Sequence, residues 1–199
     1  SPVQEAIINN EKITGTTIIL LNNEVDGGPI ILQEKYKVNE NEYLTELTIE
    51  LFKLGSKIIK KILDNPKLIL KAETQNKKEA SYTNKINKSD GHINWNESGT
   101  NIIQLIKALS ENPGTYSILD NKKIKIFKAR FLEERNQIDE PGTLGQNKNA
   151  ELYVSIGEGK IIIDEVQLEG KNKINGPDFA RGYQIFYELN NKKVFKKLS

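Results

Sequence analysis

The sequence is organised around one stretch, Leu21-Asn22-Asn23-Glu24-Val25-Asp26-Gly27-Gly28-Pro29-Ile30-Ile31-Leu32-Gln33. An apolar run leads into its polar loop and a second apolar run leaves it, which places Asp26 at the end of a strand. Ligand sites in open α/β sheets lie beyond the carboxyl ends of strands. Gly27 and Gly28 permit positive φ angles and a close approach to a ligand, and Pro29 fixes φ where the chain resumes. The alternative is a surface turn in which Asp26 hydrogen-bonds its own backbone.

The composition limits the kinds of site that the chain can carry. Its 199 residues, 37% hydrophobic and 28% charged, are ordinary for a globular protein of one or two domains. A formal charge of +2 gives no global signature of nucleic-acid binding, so any RNA contact is expected to be local. The absence of cysteine excludes disulfides, thiol nucleophiles and Cys-ligated zinc, and favours a reducing, cytoplasmic location. With one histidine, His92, no metal site is expected, and no window reaches the roughly 20 apolar residues of a membrane helix.

The first part of the chain is predicted to contain two helices and two strands. A short amphipathic helix is predicted over residues 2–9, strands over 15–21 and 29–36, and a long amphipathic helix over 41–65 that Pro66 ends. The nearly continuous apolar run of the first strand is typical of a sheet covered on both faces. Two strands and two helices cannot cover a sheet in that way, and the chain lacks an initiator Met. We therefore expect a fragment that needs further residues or a partner chain.

The second part is predicted to be a separate, β-rich domain. Residues 72–90 are polar and low in periodicity, which is typical of a linker. After it, Ser98 is placed to cap a helix, hairpins are predicted over residues 115–131 and 152–168, and a terminal helix begins near Gly176. This order favours a small Greek-key barrel of the OB type, although other barrels share the pattern. The side chains expected along one side of the terminal helix are Phe179, Tyr183 and Phe186.

Several motifs follow one another along nearly the whole chain. They are the Asp26 loop, Gln75 with Ser81-Tyr82-Thr83-Asn84-Lys85-Ile86, Asp90-Gly91-His92-Ile93-Asn94-Trp95, Pro113-Gly114-Thr115-Tyr116, Lys125-Ile126-Phe127-Lys128-Ala129, Pro141-Gly142-Thr143, Gly157-Glu158-Gly159, and Asp178-Phe179-Ala180-Arg181-Gly182-Tyr183. In this order and spacing they resemble the folate-dependent formyltransferases, and among them the methionyl-tRNA formyltransferases. The resemblance implies an α/β part followed by a β part. These are an incomplete Rossmann-like formyltransferase domain over residues 1–71, the linker over 72–90, and an OB-like β-barrel domain that binds tRNA over 91–199.

The resemblance also implies a reaction. A formyl group passes from 10-formyltetrahydrofolate, a donor substrate, to the amino group of methionine on initiator tRNA, without a metal. Asp26 corresponds to the catalytic Asp of the family, and Glu24, Val25, Gly27 and Gly28 to the loop that shapes the folate and formyl site. The Asn and His of the family lie upstream of this sequence, so we expect the 199 residues alone to be inactive and the complete protein to be a cytoplasmic monomer without membrane attachment.

Local groups of lysine are the candidates for contact with tRNA. They are Lys77, Lys78, Lys85 and Lys88 in the linker and Lys123 and Lys125 in the first hairpin. All but three of the 29 basic residues are lysine, so an ordinary solvated linker remains an open alternative. His92 is expected to be a solvated linker residue, and Trp95 a core or interdomain residue rather than a base-stacking platform.

Two other functions remain open on the sequence alone. One is a folate-dependent formyltransferase with a different amine acceptor, either a sugar amine or glycinamide ribonucleotide. The other is a non-catalytic fragment that binds tRNA.

Overall fold

The computed structural model describes residues 1–134, 139–183 and 193–195, and the chain forms two compact units, Ser1–Asn84 and Lys85–Ser199. The boundary between the units falls inside the predicted linker, because residues 72–84 belong to the first unit. Phe186, expected on the terminal helix, lies outside the described residues. Within those residues, no helix is both long enough and apolar enough to cross a bilayer.

The first unit is a two-stranded antiparallel sheet covered on one face by a long helix. Thr17 of β1 lies opposite Gln33 of β2, and the helix buries Leu47, Leu51 and Ile58. The elements are α1 (Pro2–Ile8), β1 (Ile13–Ile19), β2 (Ile30–Lys37), α2 (Leu44–Asp64) and a short 3-10 helix, Pro66–Lys71. All four predicted helices and strands of this part are therefore present, with ends displaced by no more than three residues.

The first strand differs from its prediction in burial. No residue of β1 is fully buried, and Leu21, predicted to end that strand, lies beyond it and is 95% exposed. On the face of β1 that α2 covers, Thr16 Oγ1 donates a hydrogen bond to the carbonyl oxygen of Leu51 at 3.0 Å. Gly55 of α2 is buried where a Cβ would come within 3.2 Å of Thr16 Cγ2. The continuous apolar run therefore marks a half-buried strand, and the prediction of a strand buried on both faces was wrong for this chain.

The second unit is an antiparallel sheet with two helices. Its elements are α3 (Gly99–Leu109), β3 (Thr115–Leu119), β4 (Lys122–Glu133), β5 (Thr143–Gln146), β6 (Leu152–Ile156), β7 (Gly159–Leu168), β8 (Lys173–Asn175), α4 (Gly176–Gly182) and β9 (Lys193–Val194). The strand order is β3-β4-β7-β6-β5-β9, and β8 pairs with β7. The predicted order of an α/β part followed by a β-rich part is therefore confirmed, while β5, β8 and β9 were not predicted as strands.

Turn chemistry explains the hairpin between β3 and β4. Asp120 and Asn121 have φ angles of 49° and 63°, the left-handed values that a tight two-residue hairpin turn requires and that Asp and Asn tolerate best after glycine. The turn is shorter than the four residues predicted, because the strands extend to Leu119 and Lys122. On the core side this hairpin buries alternate residues, as a half-covered sheet should.

Trp95 lies in the core of the second unit, as predicted. Its ring stacks on Phe195 with centroids 5.3 Å apart, and its indole N–H donates to Ser117 Oγ at 3.1 Å. The side chain is only 4% exposed. A buried indole with its donor satisfied cannot offer a face to a nucleic-acid base.

Loss of the helix cap at Ser98 should weaken the second unit. Ser98 Oγ accepts a hydrogen bond from the backbone N–H of Asn101 at 3.1 Å, which satisfies one of the free donors at the start of α3. We expect Ser98→Ala to lower the free energy of unfolding by about 1 kcal/mol. Denaturant unfolding followed by Trp95 fluorescence measures this. Ser98→Asp, which retains an acceptor, and Thr100→Ala, an exposed change in the same turn, should each have a smaller effect, and an equal loss in Thr100→Ala would contradict the capping role.

Candidate functional site

The loop between β1 and β2 has a defined structure although most of it is exposed. At its base, the N–H of Leu20 donates to the carbonyl oxygen of Pro29 at 2.9 Å. Within it, Asn22 Oδ1 accepts from the N–H of Glu24 at 2.9 Å and Asn22 Nδ2 donates to the carbonyl oxygen of Gly27 at 3.2 Å. One amide side chain therefore bridges both arms of the loop.

Asp26 lies in this loop with a left-handed backbone and an exposed side chain. Its φ angle is 53°, the left-handed region that costs a non-glycine residue free energy and is most often found at turns and functional sites. The surface-turn alternative required Asp26 to bond its own backbone, but Asn22 performs that role. The carboxylate of Asp26 forms no hydrogen bond or ion pair with the described residues, so it is available to act on a ligand.

The loop-shaping residues that the sequence singled out have different roles. A Cβ on Gly28 would lie 1.7 Å from the carbonyl oxygen of Leu20, so only glycine fits there. A Cβ on Gly27 would meet the side chain of Glu24, with 2.8 Å to its Oε2. Glu24 in turn accepts a salt bridge from Lys77 at 2.5 Å, and Val25 is 93% exposed at the tip.

Gln75 is a loop contact that sequence reasoning did not identify. Its Nε2 donates to the carbonyl oxygen of Asp26 at 2.8 Å and to that of Gly28 at 2.7 Å. In the sequence, Gln75 was only one residue of a family motif in a polar segment without periodicity. No pattern of hydrophobicity marks a side chain that acts by donating to two carbonyl groups 47 and 49 residues away.

The six predicted tRNA lysines fall on the two units in different settings. Lys77 is paired with Glu24, and this partner raises the pKa of its ammonium group. Lys78, Lys85 and Lys88 are exposed near the unit boundary. Lys123 and Lys125 lie on β4, opposite Ile118 and Tyr116 of β3.

An aromatic and basic cluster, which we define as His92, Tyr116, Lys123 and Lys125, occupies the outer face of β3 and β4. The Tyr116 ring lies 4.0 Å from Lys123 Nζ and meets the His92 ring edge to face, with centroids 5.1 Å apart. His92 Nδ1 is buried and has no hydrogen-bond partner among the described residues. The prediction that His92 is a solvated linker residue was therefore wrong, because its ring packs on Tyr116. Burial first, and then the charge of Lys123, lower the pKa of His92.

Among the described residues, no three His, Cys, Asp or Glu side chains are grouped as metal ligands would be. The chemistry available at the Asp26 loop is that of a free carboxylate beside backbone amides and glycine.

Comparison with family models and with curated proteins gives a consistent result. Residues 1–63 match the model described as formyl transferase, and residues 85–184 match the model of the formyl transferase C-terminal domain. The methionyl-tRNA formyltransferase of Thermodesulfovibrio yellowstonii is 33% identical over 185 residues, covering 93% of this chain and 59% of that protein. The enzyme of that name from Staphylococcus aureus strain MW2 is 31% identical, covering 100% of this chain and 62% of its own length. The chain thus spans about 60% of the length of the curated relatives it matches.

Solved structures show the same fold at lower identity. HypX from Aquifex aeolicus in complex with tetrahydrofolic acid has a TM-score of 0.72 and 15% identity, covering 98% of this chain and 36% of that one. The N-formyltransferase from Helicobacter canadensis, in complex with folinic acid and dTDP-3-aminofucose, has a TM-score of 0.62 and 24% identity. The match covers 81% of this chain and 59% of that one. These structural similarities show the fold.

The burial of His92 and the nearby charge of Lys123 predict that its imidazole titrates at a lowered pKa. Because His92 is the only histidine, its titration can be followed by NMR, and we expect a pKa below 6.5. Lys123→Gln should raise that pKa part of the way, since burial remains, whereas Lys148→Gln should leave it unchanged. A pKa at or above 6.5 would contradict the described burial.

The lowered pKa of His92 makes the stability of the second unit depend on pH. The unfolded chain takes up the proton at a higher pH than the folded chain, so the second unit should lose stability as the pH falls through about 6.5. Denaturant unfolding at a series of pH values measures this loss, and His92→Gln should remove the part of the pH dependence that arises from this group.

Proposed function

This chain belongs to the formyl transferase family, and from that premise we propose that it serves the transfer of a formyl group from 10-formyltetrahydrofolate to the amino group of methionine on initiator tRNA. The observation that supports this acceptor is the identity of 31–35% to proteins named methionyl-tRNA formyltransferase, over at least 93% of the chain. Two solved structures of the same fold contain tetrahydrofolic or folinic acid, which supports a folate donor. We propose that the complete protein acts in the cytoplasm as a monomer.

Asp26 is the catalytic residue of this proposal. Formyl transfer to an amine needs a neutral amine, stabilisation of the tetrahedral oxyanion and a route for the proton that the amine loses. An exposed carboxylate that no described residue pairs with can accept that proton through water or hold a protonated base in place.

The proposed site draws on more of the protein than these 199 residues. We propose that the Asn and His that the resemblance implies lie upstream of this sequence, since the chain spans about 60% of the length of the relatives. We propose that residues 1–71 supply the Asp26 side of the catalytic domain. Residues 72–90 then lead to an OB-like domain over residues 91–199 that contacts tRNA.

Asp26 can be tested in a fusion protein. The part of the Staphylococcus aureus relative that this chain does not span is fused to the amino end of the 199-residue chain. Formylation of Met-tRNA by this fusion protein is then measured. We expect the 199-residue chain alone to be inactive and the fusion to be active. Asp26→Asn should lower kcat of the fusion by about 100-fold or more with little change in KM for tRNA, and Glu11→Gln, an exposed carboxylate outside the loop, should change neither.

Three results would count against this assignment. Turnover by the isolated chain would show that no further residues are needed, and an equal loss of kcat and tRNA affinity in Asp26→Asn would make Asp26 structural. Formylation of a sugar amine or glycinamide ribonucleotide in place of Met-tRNA would favour the alternative acceptor.

Within the second unit we propose that Lys123 and Lys125 contact tRNA phosphates, with Lys85 and Lys88. No carboxylate pairs with the ammonium group of Lys123 or Lys125 in the described chain. Lys128 and Lys173 on the same sheet are instead bound to Glu165, at 3.2 and 3.3 Å. An unpaired lysine can neutralise a phosphate without first giving up a partner. In the first unit, Lys77 and Lys78 are also proposed contacts, and Lys77 would have to give up its ion pair with Glu24 to bind a phosphate.

The salt dependence of tRNA binding tests this distinction. For the double variant Lys123→Ala and Lys125→Ala, we expect the plot of log affinity against log salt concentration to become shallower by about 2, one for each phosphate that the variant no longer neutralises. The control is Lys128→Ala with Lys173→Ala, which removes the same charge from paired positions and should change the slope less. Equal slopes in the two double variants would contradict a local RNA contact.

A further inference from the structure

A segment after the long helix runs antiparallel to the Asp26 loop and binds it at three points. Glu73 exchanges backbone hydrogen bonds with Ile30, at 2.8 and 2.9 Å. Gln75 donates to the carbonyl oxygens of Asp26 and Gly28, and Lys77 pairs with Glu24. We call residues 73–77 the strap. Glu73 and Gln75 are two residues apart, so in an extended backbone both lie on the edge that faces the loop. Lys77 begins a short 3-10 helix, Lys77–Glu79, and reaches Glu24 from there.

We propose that the strap holds Asp26 in its working position and that Gln75 is the positioning residue for the carboxylate. The inference rests on the proposed function, since it assigns Asp26 to the reaction. It goes beyond that function in assigning a role to a side chain that would touch neither the donor nor the acceptor.

The loop needs such a contact because its own sequence makes it flexible. Asp26 is followed by two glycines, which lose more conformational freedom on folding than any other residue. The left-handed backbone of Asp26 is itself unfavourable and persists only where the surroundings fix it. Two hydrogen bonds from one amide group, to carbonyl oxygens on either side of Gly27, fix the peptide planes that determine where the Asp26 side chain points.

Hydrogen bonding, rather than occupied space, is the means by which Gln75 acts. The primary amide carries two N–H donors, and both acceptors are backbone carbonyl groups of the loop. A glutamate at this position has almost the same size but only acceptor oxygens when ionised, so it would face both carbonyl groups without a donor. Gln75→Glu therefore removes the proposed interaction and keeps the packing.

The first experiment uses the 199-residue chain. Cleavage after Glu24 by a glutamate-specific protease is followed by mass spectrometry, with thermal unfolding as the measure of overall folding. We expect cleavage at least about fivefold faster in Gln75→Glu and in Gln75→Ala, because the loss of even one of the two hydrogen bonds corresponds to a factor of that size. The control is Gln33→Ala, which removes an amide hydrogen bond to Thr17 in the same sheet, and its cleavage rate should be unchanged. A rate for Gln75→Glu equal to that of the unaltered chain would overturn the proposal.

The second experiment separates positioning from a purely structural role. In the active fusion protein, Gln75→Glu should lower kcat about tenfold while KM for tRNA stays the same. Equal loss of kcat and of tRNA affinity, or full activity of Gln75→Glu, would overturn the positioning role. A fusion that cannot formylate Met-tRNA with Gln75 and Asp26 intact counts against the proposed function instead, and the proteolysis experiment still decides whether the strap holds the loop.

Discussion

The first unit depends on the close approach of Gly28 to the carbonyl oxygen of Leu20. No other residue fits, because a Cβ would lie 1.7 Å from that oxygen. This contact, with the hydrogen bond from Leu20 to Pro29, lets β2 return beside β1 in register and gives α2 a sheet to pack on. It also sets the loop between the strands in a shape that turns Asp26 outward. The same backbone constraint therefore closes the sheet and presents the carboxylate.

The second unit is held mainly by the packing of its buried core, and its surface carries several ion pairs. Arg130 on β4 bonds Glu151, the residue that precedes β6, at 2.5 Å and Asp164 on β7 at 3.2 Å. Pairs of this kind on exposed strands contribute little stability each, but they fix which positive charges are already neutralised. Within the described part of the chain, Lys123 and Lys125 form no such pair and lie beside Tyr116. In a chain with a net charge of only +2, such local differences determine where an anionic partner can bind.

Much of the fold could be predicted because long periodic segments dominate their own structure. The spacing of Leu47, Leu51, Ile58 and Ile62 identified α2, and turn residues identified both hairpins. The missed strands are short, and β5 contains Gly145, whose lack of a side chain makes room for the Tyr153 ring. The apolar run of β1 was misjudged because a sequence pattern shows which residues are apolar and not how many layers cover them.

The candidate site was predictable only in part. Asp26 and its glycines were identified because carboxylates and glycines between two apolar runs are distinctive. Gln75 and the setting of His92 were not, since each depends on tertiary contacts with residues distant in sequence or across a strand pair. The most direct test of the role of Asp26 is the structure of the fusion protein bound to a stable folate analogue of the donor. We expect the Asp26 carboxylate to lie within about 3.2 Å of the reacting group, or one water molecule from it, and a carboxylate directed away from the bound analogue into bulk solvent would contradict that role.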